Sequence, residues 1–380
     1  MAVLSDAQRE AGWTIAKLGD ICAFVAGSAF PQKEQGKVSG DYPFAKVKDL
    51  QSVAGLSWRN IDNWIEESQL KTLKSKIIPV KSIVFAKIGE GLKRERFAMS
   101  SIPMCIDNNL MAAVPSTEVN NIWLYYKFKT LNISSLVAGS ALPYLRVQDL
   151  KDLDISLPPL EEQERIAGIL GSLDDKIEAN TRLIQTLDSL GEAVTRKYLK
   201  SVQETQKLID IAHIVMGQSP KGETLNTEGS GVLFFQGKKD FGFRYPTPRT
   251  YTTAATRMAE PLDILFSVRA PIGALNRSVE ACCVGRGLAA IRSSCGQENT
   301  LFYTLKTNPN LWEKFEGEGT IFSAINKKGL SELDIPFSET ATSNGVEDFL
   351  TSVEQEIFSL EQENLQLAAT RDALIKRLIG

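Results

Sequence analysis

The sequence predicts an α+β protein: two similar mixed α/β domains separated by two long helices packed as an antiparallel coiled coil, the whole a pseudo-twofold internal repeat. Three observations lead there. Gly139-Ser140-Ala141-Leu142 through Asp149-Leu150-Lys151-Asp152-Leu153-Asp154-Ile155 recurs as Gly319-Thr320-Ile321-Phe322 through Gly329-Leu330-Ser331-Glu332-Leu333-Asp334-Ile335, 180 residues later. The same offset runs on, from Ile169-Leu170-Gly171-Ser172-Leu173 to Phe349-Leu350-Thr351-Ser352-Val353 and from Ile177 to Ile357. After each repeat the strand-like runs stop and a seven-residue apolar period begins. These changes divide the chain into domains at 1–156 and 205–336 and helical segments at 157–204 and 337–380.

In the first domain, Lys17-Leu18-Gly19-Asp20-Ile21 matches Lys207-Leu208-Ile209-Asp210-Ile211 of the second, and Gly27-Ser28-Ala29-Phe30-Pro31 parallels Gly217-Gln218-Ser219-Pro220 with a one-residue gap. Phe44 through Leu50 parallels Phe235 through Phe241, and Ser82 through Ala86 parallels Asp263 through Ser267. The drift of the offset from 190 to 180 makes the first domain about ten residues longer, in its loops. Short β-branched runs (82–85, 232–235, 263–268, 288–291) split by Gly, Pro and Asn read as strands.

The first helical segment opens on Leu157-Pro158-Pro159-Leu160-Glu161-Glu162-Gln163, with proline at the first helical position and carboxylates at the positive end of the helix dipole. Its apolar seam is Ile166, Leu170, Leu173, Ile177, Ile184 and Leu187, with Asn180 filling the gap. The second repeats it more fully: Val346, Leu350, Val353, Ile357, Leu360, Asn364, Leu367, then Arg371, Leu374 and Leu378. One asparagine on each seam costs stability but fixes register and pairing. Two such stripes bury each other most simply, and pseudo-twofold symmetry makes that pair antiparallel.

Composition narrows function. At 43% hydrophobic the chain is ordinary for a globular protein, and no apolar run approaches the roughly 20 residues that span a bilayer. Met1 to Gly12 is polar, unlike a signal peptide, so a cytoplasmic protein is expected. The five cysteines lack zinc-site spacing and read as small hydrophobes in a reducing compartment. The one histidine, His213, reads as structural. Phosphate loops, nucleophile elbows, His-Glu-x-x-His motifs and the Asn/Asp-Pro-Pro-aromatic tetrapeptide of amino-methyltransferases are all missing from the sequence. No catalytic residue, metal ligand or cofactor of its own is therefore expected, and the helix carboxylates read as solvated. The net charge of −3 divides into +3, −3, +2 and −5 over the four segments, so the two domains are slightly basic and the helices acidic.

Basic side chains cluster on the Gly/Pro-rich connections of both domains. They are Lys46, Lys48, Lys87, Lys93, Arg94, Arg96 and Arg146 in the first, and Lys238, Lys239, Arg244, Arg249, Arg269, Arg277, Arg286, Lys327 and Lys328 in the second. Phe44, Tyr144, Phe235, Phe241, Phe243 and Tyr245 interleave them. Arginine and lysine on loops suit phosphate clamping and guanine reading, and amides such as Gln236 and Asn326 suit adenine. Two like modules in one chain suit a target with two half-sites.

Leu157-Pro158-Pro159-Leu160-Glu161-Glu162-Gln163-Glu164-Arg165-Ile166-Ala167, followed by Leu173-Asp174-Asp175-Lys176-Ile177-Glu178-Ala179-Asn180, resembles the conserved region of the specificity subunit of Type I restriction-modification systems. Asp263 through Gly273 with Cys283-Val284-Gly285-Arg286-Gly287-Leu288 resembles that family's target-recognition domains, and the order domain, helix, domain, helix agrees along the whole chain. The resemblance implies that each domain reads one half of a bipartite, asymmetric site in double-stranded DNA. It implies that the helix pair sets the spacing and docks two modification subunits, which carry S-adenosylmethionine and methylate adenine N6, and that restriction subunits join to cleave. The second helical segment departs from the pattern, with Ile335-Pro336-Phe337-Ser338-Glu339-Thr340 where the Pro-Pro opening would stand. A coiled-coil scaffold with two protein-binding modules and a stand-alone DNA-binding regulator are the competing readings.

Overall fold

The computed structural model describes residues 3–52, 57–58, 61–139, 143–315 and 324–380, so the repeated segments 140–142 and 319–322 lie outside the described residues. The chain forms two compact units, one of residues 1–180 with 363–380 and one of residues 181–362. Each holds one α/β domain and a stretch of both long helices.

In the first unit, Cys22–Ala26, Leu110–Pro115, Ile83–Ala86 and Phe97–Ser100 form an antiparallel sheet in that order, with Ser57–Trp58 added in parallel at the edge. Tyr42–Ala45 pairs in parallel with Cys105–Ile106, and Thr14–Lys17 pairs antiparallel with Asp154–Leu157. In the second unit, Ala212–Met216, Leu288–Ser293, Ile264–Ser267 and Leu275–Arg277 repeat the same order. Val232–Phe235 runs parallel to Cys282–Val284, and Thr205–Lys207 pairs antiparallel with Asp334–Pro336. The duplication seen in sequence is thus a duplication of strand order.

Strand residues read as continuous apolar runs because both sheet faces are covered. Alternate side chains go to opposite sides. Ile83, Phe85, Phe97 and Met99 pack with Trp123 and Tyr126 of the helix Asn121–Thr130, while Val84, Ala86 and Ala98 pack with Trp58, Ile78 and Met104. In the second unit Ile264 and Phe266 pack with Leu301 and Phe302 of the helix Glu298–Thr307, and Leu265 turns to Leu233 and Val284. Cys22, Cys105, Cys282 and Cys283 are buried as small core residues, whereas Cys295 is exposed. His213 is exposed and lies across from Arg292.

The central helix runs Leu160–Leu199, 40 residues, and the C-terminal helix Val346–Leu378, 33 residues. At 1.5 Å per residue they reach about 60 and 50 Å. Within the first unit Asp174 meets Arg371 and Asn180 meets Asn364; within the second Ile184 packs with Val353, Ile357 and Leu360. Rising numbers on one helix meet falling numbers on the other, so the pairing is antiparallel. Leu170, Asn180, Ile184, Leu350, Val353, Ile357 and Leu360 are buried, and Leu173, Ile177, Leu187, Asn364 and Leu367 are half-buried.

The two helix starts differ as their sequences do. Pro158-Pro159 leads directly into the central helix, where buried Gln163 donates to the Pro158 carbonyl and accepts from the Asn120 N–H. The other start is broken. Thr340–Ser343 forms a single turn, Gly345 takes φ of 76°, and the C-terminal helix begins only at Val346. A positive φ suits glycine and interrupts a helix.

Candidate nucleic-acid interface

In each domain a chain of backbone hydrogen bonds gathers four loops along one edge. In the first, Asp107 N–H donates to Ala45 O, Lys87 N–H to Asn109 O, and Leu145 N–H to Lys87 O. In the second, Gly285 N–H donates to Phe235 O, Val268 N–H to Gly287 O, and Ile325 N–H to Val268 O. The two chains are equivalent link by link. Glycine makes the crowding possible: a Cβ on Gly27 would stand 2.0 Å from Asp107 O, and one on Gly217 2.1 Å from Gly285 O.

This edge brings together most of the residues singled out in sequence. In the first domain Lys46 and Lys48 follow the parallel strand, with Lys46 Nζ 2.7 Å from Gln35 and Lys48 Nζ 2.7 Å from Asp62. Lys87 is half-buried, the next residue, Ile88, bridges to Tyr144, and Arg146 is exposed two residues beyond Tyr144, whose hydroxyl raises its pKa. Lys93, Arg94 and Arg96 are exposed on the next turn, where Arg94 and Arg96 line a cleft with Val47, Leu50 and Gly91. Burial raises the pKa of Asp107 behind this edge.

In the second domain Gln236 takes the place of Lys46 and accepts from Ser219 Oγ at 2.8 Å. Lys238 and Lys239 are exposed beyond it, and Arg286 is exposed in the loop whose backbone meets Ser219. Arg269 bridges to Ala324, next to Asn326, Lys327 and Lys328, all exposed. Asn326 caps the helix Lys327–Ser331 through the Gly329 N–H. Arg249 is exposed and faces Asp240 at 3.9 Å.

Arg244 and Arg277 do not belong to this edge, which corrects the sequence expectation. Each is 1% exposed and faces the helices. Arg244 Nη2 reaches Asp188 at 2.5 Å, Glu354 at 3.2 Å and the Tyr303 hydroxyl at 3.2 Å, and Arg277 Nε faces Glu354 at 3.4 Å. Both guanidiniums stack near Phe302, at 4.4 and 4.6 Å. Basic residues on loops look alike in sequence whether they face solvent or a buried carboxylate. Phe44 and Phe235 are likewise core residues.

The expectation that the helix carboxylates are solvated fails at the same place. Asp174, Asp188, Glu347 and Glu354 are buried among the seam residues. Asp174 accepts from Tyr126 Oη at 2.6 Å and pairs with Arg371 at 2.5 Å. Glu347 accepts from the N–H groups of Asn299 and Thr300 and so caps the helix Glu298–Thr307, which has no side-chain cap of its own. Glu361 is half-buried, and burial pushes its carboxyl up to about 7. The one available signal was the repeat: Asp174 and Glu354 are 180 residues apart.

Among the described residues no helix is long and apolar enough to cross a membrane, and no three His, Cys, Asp or Glu side chains are placed to hold a metal.

Residues 10–189 match the family of the Type I restriction modification DNA specificity domain. A type I restriction enzyme MjaX specificity subunit of Methanocaldococcus jannaschii is 27% identical over 97% of this chain and 92% of its own length. The MjaIX specificity subunit of the same organism is 32% identical over 49% of this chain and 43% of its own length. The crystal structure of a type I restriction-modification S subunit from M. genitalium covers 100% of this chain and 98% of its own, with a TM-score of 0.62 and 16% identity, a likeness of fold. The chain is thus similar to type I restriction enzyme specificity subunits, over residues 10–189 to the DNA specificity domain and over nearly its whole length to the MjaX subunit, and it shares the fold of an S subunit.

Proposed function

We infer that this chain is the DNA sequence-specificity subunit of a type I restriction-modification complex, cytoplasmic and itself non-catalytic. Its two domains each read one half of a bipartite, asymmetric site in double-stranded DNA. The helix pair sets the spacing and docks two modification subunits, which bring S-adenosylmethionine, and restriction subunits complete the complex.

One observation carries this reading. The same backbone edge occurs twice, and its side chains differ: Lys46 against Gln236, Ile88 against Arg269, Tyr144 against Ala324, and Arg146 against Asn326. Equivalent scaffolds with different donors and acceptors suit two half-sites of different sequence. Cationic side chains supply phosphate affinity, and each bidentate base contact adds about 1–3 kcal/mol of discrimination.

The test is to co-express the chain with its methyltransferase partner and map N6-methyladenine across the host genome. A single split motif with a constant gap is the expected result. A stable complex with no methylated motif would favour the protein-binding scaffold.

A further inference from the structure

The second domain is fastened to the helices through the very segment that carries its reading edge. Gln236, Lys238 and Lys239 run into a tight turn in which Phe241 bridges to Pro246 and Gly242 N–H donates to Tyr245 O. Arg244 lies in that turn. Its backbone carbonyl accepts from Arg277 N–H, and its guanidinium enters the buried space between Asp188 of the central helix and Glu354 of the C-terminal helix. The turn is therefore tied to both helices at once, five and six residues downstream of the exposed lysines. In the first unit the equivalent carboxylate, Asp174, takes its arginine from the C-terminal helix itself, as Arg371, and its hydroxyl donor from the domain helix, as Tyr126.

We propose that Arg244 is a positioning residue for the second half-site: it holds the Gln236–Lys239 edge in a set orientation on the helix pair, so that the second domain accepts its half-site at one spacing. The inference rests on the two-reader function above. A buried guanidinium held by two carboxylates and three aromatic rings has a defined orientation, whereas a purely apolar contact of the same size permits sliding. Arg244 thus links helix register to the reading loop through both helices, beside two contacts to the C-terminal helix alone, the Tyr245–Phe358 ring pair and the Arg244 N–H donated to Glu361.

The experiment uses the full-length chain and duplexes carrying the two half-sites mapped for the wild type, with the native spacer or one base pair more or less. Wild type should prefer the native spacer. Arg244→Met should reduce that preference several-fold while the base preference of the first half-site stays intact, and Arg244→Lys should restore part of it. Tyr126→Phe, which loosens the first domain's anchor, should leave the second half-site's tolerance unchanged. If Arg244→Met fails to fold, Asp188→Asn keeps the shape, removes one charge, and should show the same relaxation. Spacer preference equal to wild type in a folded variant overturns the proposal, as does a uniform affinity loss at every spacing, which is what a merely structural role would give. A wild type that binds DNA without any spacer preference would overturn the two-reader reading and this inference with it.

Discussion

The two anchors between recognition domain and helix are built on one plan and neutralised in two ways. Asp174 and Glu354, 180 residues apart, each accept from a tyrosine of the short domain helix, Tyr126 at 2.6 Å and Tyr303 at 2.8 Å. In the first unit Arg371 compensates Asp174. Its counterpart by the repeat is Gly191, where an added Cβ would stand 2.5 Å from the Tyr303 ring. No side chain fits there, and the charge comes from Arg244 and Arg277 instead. Lys306, which pairs with Asp188 and Glu192, stands where Lys129 stands in the first unit. A duplicated buried carboxylate thus stays in place while the cation that makes it tolerable moves from helix to loop. Removing one partner of a buried pair is costly because it strands the other charge.

The largest expected effect breaks that difference directly. Arg244→Ala should cost about 3 kcal/mol or more, since Asp188 and Glu354 lose a shared partner, whereas Tyr126→Phe in the first unit should cost about 1–2 kcal/mol for one buried hydrogen bond. Urea unfolding of the full chain measures both, and equal losses would erase the contrast. Next comes the glycine. Gly191→Ala should destabilise by about 1–3 kcal/mol through overpacking against Tyr303, while Gly168→Ala in the same helix, where nothing stands within 4 Å of the new Cβ, should stabilise by about 0.5–1 kcal/mol. A stabilising Gly191→Ala would show that Tyr303 can yield.

A smaller effect is the pH response of the second anchor. Glu361 titrates at about 7 in the fold and near 4.5 otherwise, so the folded state binds this proton more tightly. Its contribution is fully present below about 4.5 and is lost as pH rises through 7. Between pH 5 and 8, thermal stability of wild type should therefore fall more steeply than that of Glu361→Gln; parallel curves would remove Glu361 from the account. Smallest in stability, though not in function, are Arg269→Ala and Lys239→Ala. Each should leave the unfolding midpoint near wild type and weaken DNA binding, with the salt dependence reduced by about one phosphate contact where the contact is to phosphate. Unchanged affinity in both would move the reading edge elsewhere.

Much of this architecture is legible in the sequence. The repeat announced the duplicated sheets, Pro158-Pro159 announced the start of the central helix, and the seam asparagines announced a polar step where Asn180 meets Asn364 at 3.0 Å. The missing proline pair marked the second helix start as different, but the break at Gly345 is visible only in the structure. The anchors were not legible. A heptad count places Leu173 and Leu187 on the seam, yet the neighbouring positions, Asp174 and Asp188, are the more deeply buried. Whether a carboxylate one step off the seam is solvated depends on a tyrosine or arginine brought in from another domain, which no local pattern reveals. For the same reason Arg244 and Arg277 looked like surface charges. The edge itself was half legible: the residue types were visible, but only the backbone links through Asp107 and Gly285 show that they stand side by side.

The most direct test of the central claim, two equivalent edges reading two different half-sites, is an N6-methyladenine map of cells carrying the complex with Arg146→Ala in the first domain or Arg269→Ala in the second. Each change should relax or alter one half of a split motif and leave the other half and the gap as in wild type. Equal damage to both halves by either substitution would contradict the claim.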